Sequence, residues 1–348
     1  IGRHDQRLFD GVLEWLDING EFINVQRLKR IADTEQFSGE AVMRALAAAT
    51  RTSTSQAKWS GLAARTPGTQ TKSEPLFYGS SGAPLPVVRE PDPDFAQYGF
   101  ARDQFQERDI AEPFRPERAA NLILKLRAFV GENARCEILG YLLVNRTGSP
   151  RAIASDCYFF PATISKAMAE IERSGFLVSR TEGRRKLSTL VPEAWSELFL
   201  HGETPPMWIV WPRVFRALER LWLLVSHTDL QSQSSFEQAS ALRRLLMDGV
   251  ATQLERGWPG FTFGRPEAHP GGQHSDEQAG HRHLEINGCQ GFVDGGHRQS
   301  RAQDGQRFSL AADGKGHVHH LLPQGGTIPL SVAGALRQGL ADLGTIAV

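Results

Sequence analysis

Between residues 133 and 195 the chain reads as three short helices followed at once by a β-hairpin, an order that leaves few folds open. Ala134 to Val144 is apolar at Ile138, Leu139, Leu142, Leu143 and Val144, a spacing that buries one helical face. Thr147-Gly148-Ser149-Pro150 breaks that helix, with Ser149 placed to cap the next and Pro150 at its first position. The next helix, Arg151 to Ser155, is short. A turn at Asp156 to Phe160 leads to Pro161, which opens a longer helix that Gly175 ends. Ile164, Ala167, Met168 and Ile171 fall on one stripe of it, and Thr163, Ser165, Lys166 and Arg173 lie on the other. Phe176 to Arg180 and Leu187 to Val191 alternate as strands. Thr181 to Lys186 between them form a turn rich in cations.

Helix, short helix, second helix and basic hairpin is the order of a winged helix-turn-helix. Residues 161–173 then suit a recognition helix: one face packs inward, and the other presents Thr163, Ser165 and Lys166 to a DNA major groove. Arg184, Arg185 and Lys186 on the wing are expected to reach phosphates or a minor groove, with Arg151 and Arg173 flanking. The stretch resembles the winged-helix domain of MarR-like and ArsR-like transcriptional regulators. Thr163-Ile164-Ser165-Lys166 at the start of the recognition helix and Glu182-Gly183-Arg184-Arg185 in the wing carry the resemblance. It implies double-stranded DNA as the partner and regulation of transcription as the role. The chain departs from a small MarR protein in lacking the long dimerising helices that flank the module. The stretch also resembles small winged-helix domains of abortive-infection antitoxins, which implies the alternative: an interaction protein whose winged helix grips a protein partner.

Charge agrees with a polyanionic partner. Residues 118–190 hold twelve Lys and Arg against six Asp and Glu, whereas the whole chain balances at 39 of each. The excess is local, as an electrostatic footprint for DNA should be.

The expected class is mainly α, with a helical N-terminal region, the central winged helix, C-terminal helices and a disordered tail. Residues 1–65 read as a helical domain: Leu8, Phe9, Val12, Leu13, Trp15 and Leu16 recur at helical spacing, Val25, Leu28 and Ile31 begin a second helix, Ser38 caps a third, and Trp59 and Leu62 close the bundle. Residues 66–118 contain the loop strings Thr66-Pro67-Gly68 and Pro91-Asp92-Pro93-Asp94. They predict an irregular connector anchored by Leu76, Phe77, Tyr78, Phe95, Tyr98 and Phe105. Asp92 and Asp94 have no partner group for acid–base chemistry and read as turn residues. Residues 119–200 hold the winged module with a leading helix from Asn121 to Val130. A trailing helix from Pro192 to Leu200 turns Trp195, Leu198 and Phe199 inward.

Residues 205–256 read as two helices. The first carries an aromatic stripe of Trp208, Trp211, Phe215 and Trp222, and the second runs from Ser235 to Arg256. Core or homodimer packing is expected of them, an effector pocket being the alternative. Residues 257–348 hold 18 of the 34 glycines and 8 of the 11 histidines, a composition that predicts disorder. His281, His283 and Cys289, and His317, His319 and His320, have ligand chemistry. No spacing completes a tetrahedral set, so neither a metal nor a cofactor is expected.

Other functions find no support. The most apolar stretch, Met207 to Val225, contains Arg213, Arg216, Glu219 and Arg220, so no membrane helix is expected. The opening residues show no charged-then-apolar leader, and the three cysteines are scattered, which together suggest a cytoplasmic setting. No phosphate loop, nucleophile elbow or HExxH helix occurs, and an enzyme is not expected.

Overall fold

A computed structural model describes residues 2–50, 56–64, 73–79, 82–191, 194–226, 230 and 232–261, together with the backbone of 282–286, 308–312, 318–321 and 327–330. It is mainly helical with small sheets, and it divides into two compact units, 1–208 and 209–348.

The first unit opens with α1 (Gln6–Asn19), α2 (Val25–Glu35), α3 (Glu40–Ala49) and α4 (Gln56–Ala63). Asp5 starts α1 by accepting the Leu8 N–H at 2.9 Å, and Asn24 starts α2 by accepting that of Arg27 at 2.8 Å. Gly39, not Ser38, holds the cap position of α3. Trp59 and Leu62 of α4 close the bundle against Leu16, Val25 and Ala47, as their spacing predicts.

The following segment wraps α1. It contains β1 (Glu74–Pro75), parallel to β2 (Phe100–Ala101), and the short α5 (Pro93–Ala96). Leu76, Phe77, Phe95 and Phe100 bury themselves against Phe9, Leu13 and Ala45, with Tyr98 and Phe105 at the margin. Asp92 caps α5 by accepting the Asp94 N–H at 3.0 Å, the turn role expected of it. Two buried carboxylates of α1, one helical turn apart, tie the wrap down. Asp10 accepts from Arg102 at 2.7 Å, and Glu14 accepts the backbone N–H of Arg108 at 2.6 Å and of Ile110 at 2.9 Å. Arg102 itself lies among the rings of Phe77, Phe95 and Phe105.

The unit continues with α6 (Leu122–Val130), α7 (Ala134–Asn145), α8 (Pro150–Cys157), α9 (Pro161–Arg173), β3 (Leu177–Glu182), β4 (Arg185–Leu190) and α10 (Ala194–Leu200). α7 is buried on nearly every side because it serves two cores. Ile138 and Leu142 meet Ile153, Ile164, Met168 and Ile171 on one flank. Leu139 and Leu143 meet Leu122, Leu126 and Phe199 on the other. α10 turns Phe199 and Leu200 inward, whereas Leu198 is 57% exposed, contrary to expectation. The reason is angular: adjacent helical residues point about 100° apart, so Leu198 cannot share the inward face with Leu200.

In the second unit α11 (Trp211–Ser226) packs Val214, Ala217 and Leu221 against Val250, Leu254 and Phe261. The single helix expected from Ser235 to Arg256 is two, α12 (Ser235–Leu245) and α13 (Ala251–Gly257). They are joined by a wider turn in which Gly249 takes φ +100°. Trp208 is not on the aromatic stripe. It belongs to the first unit and meets Tyr141 edge-on at 5.2 Å between ring centres.

Within the stretch expected to be disordered, β5 (Arg282–Ile286), β6 (Phe308–Ala312), β7 (Val318–Leu321) and β8 (Thr327–Leu330) form an antiparallel sheet in sequence order. Each is a short run with apolar residues between polar or glycine-rich strings, long enough to pair its backbone with a neighbour. His281, Cys289 and His317 lie outside the described residues. Among the described residues no three His, Cys, Asp or Glu side chains gather as a metal site, and no helix is long and apolar enough to cross a membrane.

Candidate nucleic-acid interface

α8 and α9 are set by local chemistry. Ser149 accepts the Ala152 N–H at 3.2 Å with Pro150 behind it, as the sequence predicts. α8 ends on Tyr158, which takes a left-handed conformation at φ +56°. Phe159 and Phe160 complete a tight turn before Pro161 opens α9. Gly175, at φ +80°, then releases the chain into β3. Ile164, Ala167, Met168 and Ile171 are buried, and Thr163, Ser165, Lys166 and Arg173 are all exposed.

The hairpin is tighter than expected. β3 and β4 pair from Leu177↔Leu190 to Glu182↔Arg185, so only Gly183 and Arg184 remain as loop. Gly183 takes φ +60°, the positive angle that a two-residue hairpin needs at its first loop position. The six-residue turn expected at Thr181 to Lys186 is therefore corrected: four of those residues extend the ladder. Of Arg184, Arg185 and Lys186, only Arg184 sits at the tip of the hairpin. Arg185 and Lys186 are strand neighbours and point to opposite faces. Gly148 joins β4 as an isolated bridge, exchanging hydrogen bonds with Ser188 at 3.0 and 2.9 Å. A Cβ there would come within 2.8 Å of the Tyr141 ring, so any larger residue would have to push that ring aside.

The cations fall into two groups. Arg151, Lys166, Arg173, Arg184 and Arg185 are exposed, and none forms an ion pair among the described residues. Lys186 is different: its Nζ lies 2.9 Å from Glu172 on α9 and braces the hairpin against that helix. The Lys186 hydrogen bond, then that of Ser179, holds the Glu172 carboxyl below its ordinary value of 4.5. A depressed carboxylate stabilises the fold above its ordinary pKa, and the contribution is lost as pH falls through the depressed value. Side-chain NMR titration should therefore place Glu172 below an ordinary glutamate, and Lys186→Met should move it back toward the ordinary value, with the Ser179 hydrogen bond still holding part of the depression. Coincident titration curves would mean that the brace does not form in solution.

Support comes from a direction invisible in the local sequence. α2 lies against the α8–α9 turn. Arg27 donates to the Cys157 carbonyl at 2.6 Å, Tyr158 donates its hydroxyl to Glu35, and the Arg30 guanidinium lies 3.3 Å from the Phe160 ring centre. Behind the turn, Glu137 of α7 accepts from Arg127 Nη2 at 2.5 Å and stands 3.8 Å from Arg27. Cys136 and Cys157 are buried beside this cluster. Burial, reinforced by Glu137, pushes the Cys136 thiol up to about 12 and that of Cys157 well above its ordinary value. Both are therefore inert packing residues. Comparison with family models, characterised proteins and solved structures returns no match, so the site's own geometry is the basis for any functional reading.

Proposed function

We propose that residues 134–190 are a winged helix-turn-helix that binds duplex DNA, and that the chain is a cytoplasmic transcriptional regulator of the kind MarR-like and ArsR-like proteins represent. α9 is the recognition helix, with Thr163, Ser165, Lys166 and Arg173 toward the major groove, and the β3–β4 hairpin is the wing. One observation carries the reading: five exposed cations without ion pairs among the described residues stand on α8, α9 and the hairpin of a chain that is neutral as a whole. Unpaired cations are what displaces counterions from a phosphate backbone. A single module binds weakly, so two copies on a two-fold site belong to the reading. The α11 and α13 faces that pack together within the chain are not available for that contact, but Trp211, stacked on Phe215 at 5.6 Å, faces outward.

The alternative, a winged helix that grips a protein partner, draws on a different surface. Phe176, Trp195, Phe199 and Phe129 form a continuous aromatic row that ends on Phe129, 66% exposed. Fluorescence anisotropy of the full chain on a random-sequence duplex across a salt series separates the two. Steeply salt-dependent binding is the expected result. No binding at low salt would overturn the DNA reading and favour the protein partner.

A further inference from the structure

The centre of the outward face of α9 is not occupied by its hydroxyls. At about 100° per residue, Ala162, Lys166, Ala169 and Arg173 fall within an arc of about 60°, directly opposite the buried stripe. Ser165 and Thr163 lie at the flanks of that arc. All four central residues are exposed, and neither cation is engaged in an ion pair among the described residues. The two long side chains can reach phosphates or base edges beyond the helix. The two short ones let the backbone come close to whatever the helix meets.

Ala162 and Ala169 are separated by about 10 Å along the helix axis, which is about three base steps at 3.4 Å each. An apolar side chain on the floor of a major groove has one complementary group there, the C5-methyl of thymine. We propose that Ala162 and Ala169 are specificity-determining residues that read the methyl groups of two thymines about three base pairs apart, with Lys166 between them. The proposal rests on the DNA reading above. It shifts base selection from the hydroxyls of Thr163 and Ser165 to the alanines.

The test removes methyl groups from the DNA and leaves the protein intact. Duplexes are enriched from a random pool by the full chain, then remade with deoxyuridine at the enriched thymines. Affinity should fall roughly fourfold for each methyl lost, so roughly 15-fold for the pair. The double variant Ala162→Ser/Ala169→Ser places a polar hydroxyl on each of the two side chains and should bind the thymine and uridine duplexes alike. Should it fail to fold, the comparison on the wild-type protein still decides. Equal affinity of the wild type for both duplexes, each still steeply salt-dependent, overturns the methyl assignment and leaves DNA binding standing. So does an enriched pool without paired thymines at that spacing. No salt-dependent binding to any duplex overturns both.

Discussion

Glu137→Ala is expected to remove about 3–5 kcal/mol of stability, the loss that follows when a buried pair forfeits one partner. Against a total of about 5–15 kcal/mol for a folded domain, that leaves little margin. Glu137 is 2% exposed and Arg127 8%. One carboxylate oxygen accepts from Arg127 Nη2 and Nε at 2.5 and 3.1 Å, and the other faces Arg27. Burial alone would lower the Arg127 pKa, but Glu137, with a smaller share from Cys136, outweighs it and holds the guanidinium above its ordinary value, so it stays charged. Alanine at 137 therefore strands a buried cation beneath the α8–α9 turn. Urea melting followed by tryptophan fluorescence measures the loss. Glu137→Gln, which keeps the shape and one acceptor, should fall between. A Glu137→Ala unfolding free energy within about 1 kcal/mol of wild type would mean the cluster is not formed.

Much of this region was legible because its signals are local. Ser149 and Pro150 begin α8, Pro161 begins α9 and Gly175 ends it, each through chemistry confined to a few neighbouring residues. The Glu137 cluster was not legible. Its members Arg27, Arg127 and Glu137 are joined only by folding, and a charged residue on an amphipathic helix looks the same whether it faces solvent or a distant guanidinium. Asp10 and Glu14 of α1 were hidden for the same reason. Gly249 inside an otherwise periodic helix was a visible signal, and it marks the break between α12 and α13.

The candidate interface divides along the same line. All eight residues read from the sequence are exposed, since their helical spacing and hairpin position already place them away from the apolar stripe. Their grouping was less legible. Counting cations from Thr181 to Lys186 treats them as one tip. Pairing across the strands makes Arg184 the tip, Arg185 an outward strand residue and Lys186 a brace on Glu172. Register is set by the two-residue loop, and it decides the direction of every side chain after it.

On the proposed DNA-binding reading, that division predicts unequal losses on the hairpin. Each phosphate contact contributes about 0.9 to the slope of log affinity against log salt, which is about eightfold in affinity at 0.1 M. Arg184→Ala/Arg185→Ala should thus flatten the slope by about two and weaken binding about 60-fold at 0.1 M salt. Lys186→Ala should change the slope by much less, because its charge is already matched by Glu172. Its effect should come through the loosened hairpin and the Glu172 carboxylate left unpaired on α9. Glu172→Gln/Lys186→Met, which removes both charges, should then recover most of the affinity that Lys186→Ala loses. A slope change for Lys186→Ala of about 0.9, half that of the double arginine variant, would show that Lys186 leaves Glu172 for a phosphate. An unchanged slope in the double arginine variant would remove the hairpin from the DNA contact altogether, leaving Arg151, Lys166 and Arg173 to account for any binding that remains.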